Sequence, residues 1–403
     1  MIVRGGTVVT SRETFVEDIA VSDGVITEVG RDLSEQADEI DARGLYVLPG
    51  GIDSHVHFNE PGRTDWEDIA HGSAALAAGG YTCFIDMPLN NLPVTTTVEA
   101  FDLKLAAMQR AAKIDYGLWG GLVPGNLGEL EPLAQRGVMG FKAFMCPSGI
   151  DEFPMCDERT LREGMNRIAE LDSILLVHAE EPSLLLEPKG PSAHDFIASR
   201  TEEAEVRAIE RCVEMSRETG CRVHIVHVST AAGAALLGGE VTGETCPHYL
   251  LYTEGDLERL GGMGKCAPPF RRERMQLMPI VVSDHSPSTL DLKQGNDFRE
   301  IWGGISGCQS ARQLLLGLGV EAQEVAAVTS TNIAQRFRIA GKGDIAPGFD
   351  ADLWLVDLDW EGEVRREDLL YKNRFSAHEG QKIRGRTVRT VHAPPKLIRP
   401  GRR

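Results

Sequence analysis

Apolar, β-branched runs recur through the middle of the chain at 51–58, 81–87, 116–122, 138–145, 174–179, 222–229, 241–249 and 279–285. Each ends in polar residues and leads into a helix-like stretch, the alternation that parallel βα units produce. Eight such units predict a closed (β/α)8 TIM barrel, an α/β fold whose active site lies at the C-terminal ends of the strands. The two ends of the chain follow another rhythm. Short β-rich runs separated by turns occupy 2–10, 19–22, 25–29 and 46–48, and again 351–356 and 385–388. They predict one small β-sandwich domain built from both termini, residues 1–49 with 337–403, beside a barrel domain at 50–336.

Helix signals punctuate the same pattern. Ser199 followed by Glu202 reads as a capping box, Val206, Ile209 and Val213 as a helical stripe, and Gly220 as its end. Two connections are short. Only 11 residues, 230–240, separate the sixth and seventh runs, where a helical crossover needs about a dozen or more. Before the eighth run, 270–279 leaves room for barely two helical turns.

Composition narrows the function. With 403 residues, 42% apolar and 25% charged, the chain is an ordinary soluble globular protein. Acidic residues outnumber basic ones 60 to 42, and the net charge of −18 argues against a nucleic-acid or anionic-membrane partner. The N-terminus lacks the apolar core of a signal peptide, and the longest uncharged stretch, 71–85, is too short to span a bilayer. Eight scattered cysteines with no Cys-x-x-Cys pair read as buried thiols, so the protein is expected to be cytoplasmic.

The chemistry gathers at the ends of the runs. Strand alternation puts His55 and His57 on one face at the barrel mouth, the spacing with which two imidazoles grip one metal ion. Alone, such a pair is as often structural. Position raises the signal: the fourth run ends in Lys142, the fifth in His178, the sixth in His227 and the eighth in Asp284. A protonated lysine repels cations, and by itself Lys142 reads as a buried or paired side chain. Beside four histidines and an aspartate, its neutral amine can instead take up carbon dioxide as a carbamate that bridges two metals. Two divalent ions against a carbamate, a carboxylate and a hydroxide leave one net positive charge, suited to a neutral substrate. His224 is expected on the opposite face from His227, as packing or surface. His248 faces the mouth, open between a supporting and a packing role, and His285 points away from Asp284. His71, His194, His378 and His392 need no functional role.

His55-Val56-His57, Lys142, His178, His227 and Ser283-Asp284-His285-Ser286-Pro287 together resemble the cyclic amidohydrolases, which comprise dihydroorotases, hydantoinases, dihydropyrimidinases and allantoinases. The resemblance covers nearly the whole chain, including the turn Pro347-Gly348-Phe349-Asp350-Ala351-Asp352-Leu353. Phe58-Asn59-Glu60-Pro61-Gly62-Arg63-Thr64-Asp65-Trp66-Glu67, Asp86-Met87-Pro88-Leu89-Asn90 and Trp302-Gly303-Gly304-Ile305-Ser306-Gly307 look like the allantoinase branch. Asn59 stands where dihydroorotases carry an arginine for the substrate carboxylate. Pro147 stands where hydantoinases carry a tyrosine that donates to the oxyanion. Both departures point away from the sister activities.

The resemblance implies a binuclear centre of two divalent ions, zinc by default, with iron, cobalt or manganese sharing these ligands. His55, His57 and Asp284 would hold the more buried ion and His178 and His227 the exposed one. Lys142, as N6-carboxylysine formed with carbon dioxide, would bridge them. A hydroxide held between the metals would attack the ring carbonyl, with Asp284 as general base and then general acid. Asn90, Ser286 and the backbone at Gly304 would orient the substrate. The implied activity is ring opening of allantoin to allantoate in purine and ureide catabolism, by a homotetramer. Two alternatives stand beside it: another cyclic amidohydrolase acting on hydantoins or dihydropyrimidines, and a non-catalytic structural homologue, against which the six intact ligands count.

Overall fold

The computed structural model describes residues 1–34 and 38–401; residues 35–37 and 402–403, inside the two terminal segments expected to be β-rich, lie outside the described residues. The barrel forms as two parallel arcs. The first joins strand one (Gly51–Val56), strand two (Tyr81–Asp86) and the first half of strand three (Asp115–Leu118). The second joins the other half of strand three (Gly120–Gly121) to strands four (Phe141–Phe144), five (Ile174–His178), six (Arg222–Ile225) and seven (Val241–Gly243). Trp119 separates the halves of strand three, and its indole N–H donates to the Ser54 carbonyl at 2.9 Å.

The eighth position corrects the expected strand at 279–285. It closes the ring through single bridges, Thr245 to Val281 on one side and Val56 to His285 on the other. Asp284 has φ +45°, a left-handed conformation that no ladder can continue through. Two other runs also end early. Strand six stops at Ile225, just before His227 at φ +40°. Strand seven stops at Gly243, and the rest of its run turns into the helix Pro247–Leu251, with Pro247 in the first turn where its fixed φ suits a helix.

After strand five the helix Glu202–Thr219 ends at Gly220 in the left-handed conformation expected of a C-terminal cap. Its N-cap is Thr201 rather than Ser199, which closes the preceding helix Ala193–Ser199 and donates to the Phe196 carbonyl at 2.7 Å. The buried stripe is Ala204, Ala208, Ile209, Cys212 and Met215, so Val206 and Val213 lie at its margin. The two short connections hold little regular structure: the four-residue helix Ala231–Ala234 in the first, none in the second. Between them runs an apolar groove of about 750 Å³, lined by Ala234, Leu237, Val241, Met275, Met278 and Ile280 among others.

The terminal strands Ile2–Val9, Thr14–Ser22, Val25–Gly30, Glu39–Asp41, Tyr46–Pro49, Leu353–Glu363 and Lys382–Val391 are hydrogen-bonded into a single seven-stranded sheet. The two ends of the chain meet where 353–356 runs antiparallel to 46–49. This sheet keeps its own core of Val3, Val8, Ile19, Ile26, Val47 and Leu353, separate from that of the barrel. The chain then returns to the barrel, where the Ile398 N–H donates to the Tyr116 carbonyl at 2.8 Å. Among the described residues no helix is long and apolar enough to cross a membrane.

Candidate metal centre

His55, His57, Lys142, His178, His227 and Asp284 all border one cavity of about 360 Å³ at the strand C-terminal ends. His55 on strand one and His57 just past its end both face the cavity, with His55 Nε2 3.2 Å and His57 Nε2 3.5 Å from the same Asp284 oxygen. Each ring is fixed by its other nitrogen. His57 Nδ1–H donates to the Leu89 carbonyl at 2.8 Å, and His55 Nδ1 sits 2.6 Å from Glu244 Oε1. Across the cavity, His178 Nε2–H donates to Glu180 at 2.7 Å, which leaves its Nδ1 lone pair 3.1 Å from His227 Nε2. Arg200 holds Glu180 in turn, through contacts of 2.5 and 3.1 Å.

Burial sets the protonation states. It pulls the Lys142 amine down from 10.5 to about 7, against the raising pull of Glu244 and Asp284. It also pushes His55, His178 and His227 below the ordinary histidine value, so their rings are neutral and ligand-ready. Lys142 Nζ and His227 Nδ1 are buried without a hydrogen-bond partner, a costly state for polar groups in a core. Neutral imidazoles, a carboxylate and a partnerless amine, converging from separate strands, make a nitrogen and oxygen donor set that fits divalent cations. The ligating atoms of His55, His57 and Asp284 lie within 4.8 Å of one another. Both His227 and Asp284 reach the cavity from left-handed backbone, the kind of strain that functional sites retain.

Asn90, Ser286 and Gly304 also line the cavity. Gly304 has no room for a side chain, since a Cβ there would lie 2.4 Å from the Ser286 carbonyl. Its N–H donates to the Lys265 carbonyl at 2.8 Å, and its own carbonyl accepts from Lys293 at 2.7 Å. Lys293 also reaches the Trp302 carbonyl at 2.8 Å, while Lys265 reaches those of Phe298 and Ile301. Two buried lysines therefore pin the 298–304 segment over the site. Pro147 and Ser148 line the rim, and the Ser148 hydroxyl is spent on the Phe153 carbonyl at 2.6 Å. Asn59 does not line the cavity; it is buried and donates to the Pro287 carbonyl at 3.5 Å.

The histidines outside the ligand set depart from expectation in two cases. His224 is neither surface nor inert packing: it is wholly buried, with Nε2 3.1 Å from Glu244 and Nδ1 2.7 Å from Thr242. The alternation argument that set it opposite His227 fails because extended backbone ends at Ile225. His248 sits on a helix rather than a strand end, with a ring nitrogen near the Cys246 sulfur and an Asp284 carboxylate oxygen and no side-chain hydrogen-bond partner of its own. His285 turns away from the cavity toward Glu67 at 3.4 Å. Glu180, Arg200 and Glu244 escaped the sequence reading. Glu180 had a signal, two residues past His178 on the same alternation, and Glu244 is the lone acid in an apolar run.

The amidohydrolase family pattern matches residues 46–263. An allantoinase from Rubrobacter xylanophilus is 50% identical over 97% of this chain and 92% of its own length. The chain belongs to the amidohydrolase family. It is a hydrolase by that membership, and the family is metal-dependent. An allantoinase from Solibacter usitatus is 45% identical over the same shares. Among solved structures, an L-hydantoinase (dihydropyrimidinase) from Arthrobacter aurescens superposes with a TM-score of 0.94 at 28% identity, over 99% of each chain. A dihydropyrimidinase from Brevibacillus agri NCHU1002 follows at 0.89 and 27%, covering 98% of this chain and 94% of its own.

Proposed function

We propose that this protein opens the hydantoin ring of allantoin to give allantoate at a binuclear metal centre. The observation that carries the reading is the convergence of all six candidate ligands on a cavity whose cationic side chains are already engaged. Arg200 is paired with Glu180, Arg299 with Asp297, and Lys265 with main-chain carbonyls. Such a wall suits an uncharged ring over a carboxylate-bearing one. The names of the two relatives described above, both allantoinases, point the same way.

His55, His57 and Asp284 would hold one ion, His178 and His227 the other, with Lys142 between them as N6-carboxylysine. Burial supplies the neutral amine that uptake of carbon dioxide requires. Bound divalent ions, zinc by default, supply a Lewis acid and a water of lowered pKa. Asp284, beside both strand-one imidazoles, takes the proton of the attacking water and returns it to the leaving ring nitrogen. Asn90 and Ser286 orient the ring, and Gly304, its main-chain groups engaged elsewhere, supplies shape. Eight buried, unpaired thiols support a cytoplasmic setting. A homotetramer rests on the family resemblance, and light scattering tests it. Pairing of 353–356 with 46–49 supports residues 1–49 with 337–403 as one domain and 50–336 as the other.

The test is ring opening of racemic allantoin by the metal-loaded protein, beside hydantoin, dihydrouracil and dihydroorotate. Turnover of allantoin alone supports the reading. Turnover of hydantoin or dihydrouracil instead favours the hydantoinase alternative. No turnover by folded, metal-loaded protein favours the non-catalytic homologue. A carbamate signal after incubation with carbon-13 bicarbonate, absent from Lys142→Ala, tests the modification.

A further inference from the structure

Glu244 does not itself line the cavity, yet it joins two of the ligand-bearing strands. It is wholly buried, at the end of strand seven. One oxygen lies 2.6 Å from His55 Nδ1 and the other 3.1 Å from His224 Nε2. A third contact comes from the main-chain N–H of His227. His224 is held from behind by Thr242 at 2.7 Å, and its ring packs edge-on against Phe337 at 5.1 Å between centroids. A carboxylate has enough lone pairs for three donors. Burying one in a barrel core is costly, so a purely packing role would be better served by an apolar residue of the same volume.

We infer that Glu244 is a positioning residue for both metals at once: it fixes the His55 ring with Nε2 aimed at one ion, and the left-handed main chain at His227 that aims that ring at the other. His224 and Thr242 hold the carboxylate in place. Carboxylates that orient ligating histidines commonly govern metal affinity by 10- to 100-fold (about that range). The inference rests on the metal-centre reading above, so its test separates the two.

The experiment is competition for Co2+ between the purified full-length protein and a chromogenic chelator, with the visible absorption spectrum of the Co2+-loaded protein alongside. Glu244→Gln keeps the volume and replaces one of the two acceptor oxygens with an amide donor. It is expected to weaken Co2+ binding by about 10- to 100-fold and to shift the ligand-field bands. His224→Phe, which keeps a ring against Phe337, is expected to move both readouts in the same direction by less, and it decides the matter if Glu244→Gln does not fold. Folded variants with wild-type competition and wild-type bands overturn the inference even if their melting temperatures fall, since lost stability alone is what a packing role predicts. Wild-type protein that binds no Co2+ overturns the metal-centre reading, and this inference with it.

Discussion

Two concavities in the barrel domain differ in every respect that bears on function. The groove beside strand seven encloses about 750 Å³ and is lined mainly by aliphatic side chains and methionines. The mouth cavity has about 360 Å³ and gathers four histidines, two lysines and an aspartate among its lining. In the groove, apolar side chains that are themselves mostly buried border an opening beside two short connections. In the mouth, buried polar groups lack partners, two residues sit in strained backbone, and a lysine is stripped of most of its basicity. Volume reports where the chain ran out of cover. Unfavourable chemistry, retained against its cost, reports where the protein works.

The largest expected effect breaks the mouth alone. Lys142→Ala and Asp284→Asn should each lower kcat/KM by about a thousandfold or more, roughly 4 kcal/mol of barrier at about 1.4 kcal/mol per factor of ten. Steady-state assay of folded variants checks this, and a tenfold loss or less would remove either residue from the machinery. Next comes the metal. Dialysis against a chelator should abolish activity and withdraw about 3 kcal/mol of stability for a site filled at a hundred times its Kd. A melting curve with and without added ion measures it.

A third effect concerns buried neutral histidines that line neither concavity. Burial holds His248 down to about 4, and His285 and His378 to about 3. The unfolded chain takes up these protons near pH 6.5, while the folded one does not until the lower values. Stability from each is therefore fully present above pH 6.5 and is lost as pH falls, by about 1.4 kcal/mol per unit. His378 lies away from the mouth, stacked on Tyr252, so His378→Phe should flatten the melting temperature between pH 6 and 5 without touching catalysis. An unchanged slope would contradict the buried neutral ring. Smallest is the groove itself. Leu237→Ser, half-buried there, should cost about 1 kcal/mol and leave kcat/KM within twofold. A large loss of turnover would mean the groove communicates with the mouth.

Much of this was legible in the sequence because barrel strands are apolar runs and their chemistry sits at run ends. His55, His57, Lys142, His178, His227 and Asp284 were each found by that rule alone, and all six meet at one cavity. Failures arose where backbone left the extended state. Two-residue alternation holds only while a strand lasts, so it misplaced His224 once the chain turned after Ile225. The same departure at Asp284 dissolved the eighth strand. Thr201 outcompeted Ser199 as a cap because another helix had already claimed Ser199. Arg200 and Glu180 pair across 20 positions, and nothing local in a sequence marks such a meeting. The direction Asn59 faces was equally hidden, since it depends on the Pro287 carbonyl from the far end of the barrel.

The left-handed backbone at His227 and Asp284 has a consequence for how such a protein changes over generations. An L-residue there costs about 1–2 kcal/mol that glycine would not, so random substitution under selection for folding alone runs steadily toward glycine at both sites. A lineage released from turnover would shed these two side chains early, and cheaply. Their presence together makes the pair a gauge of descent under use: a chain still carrying both is one in which the penalty has gone on being worth bearing.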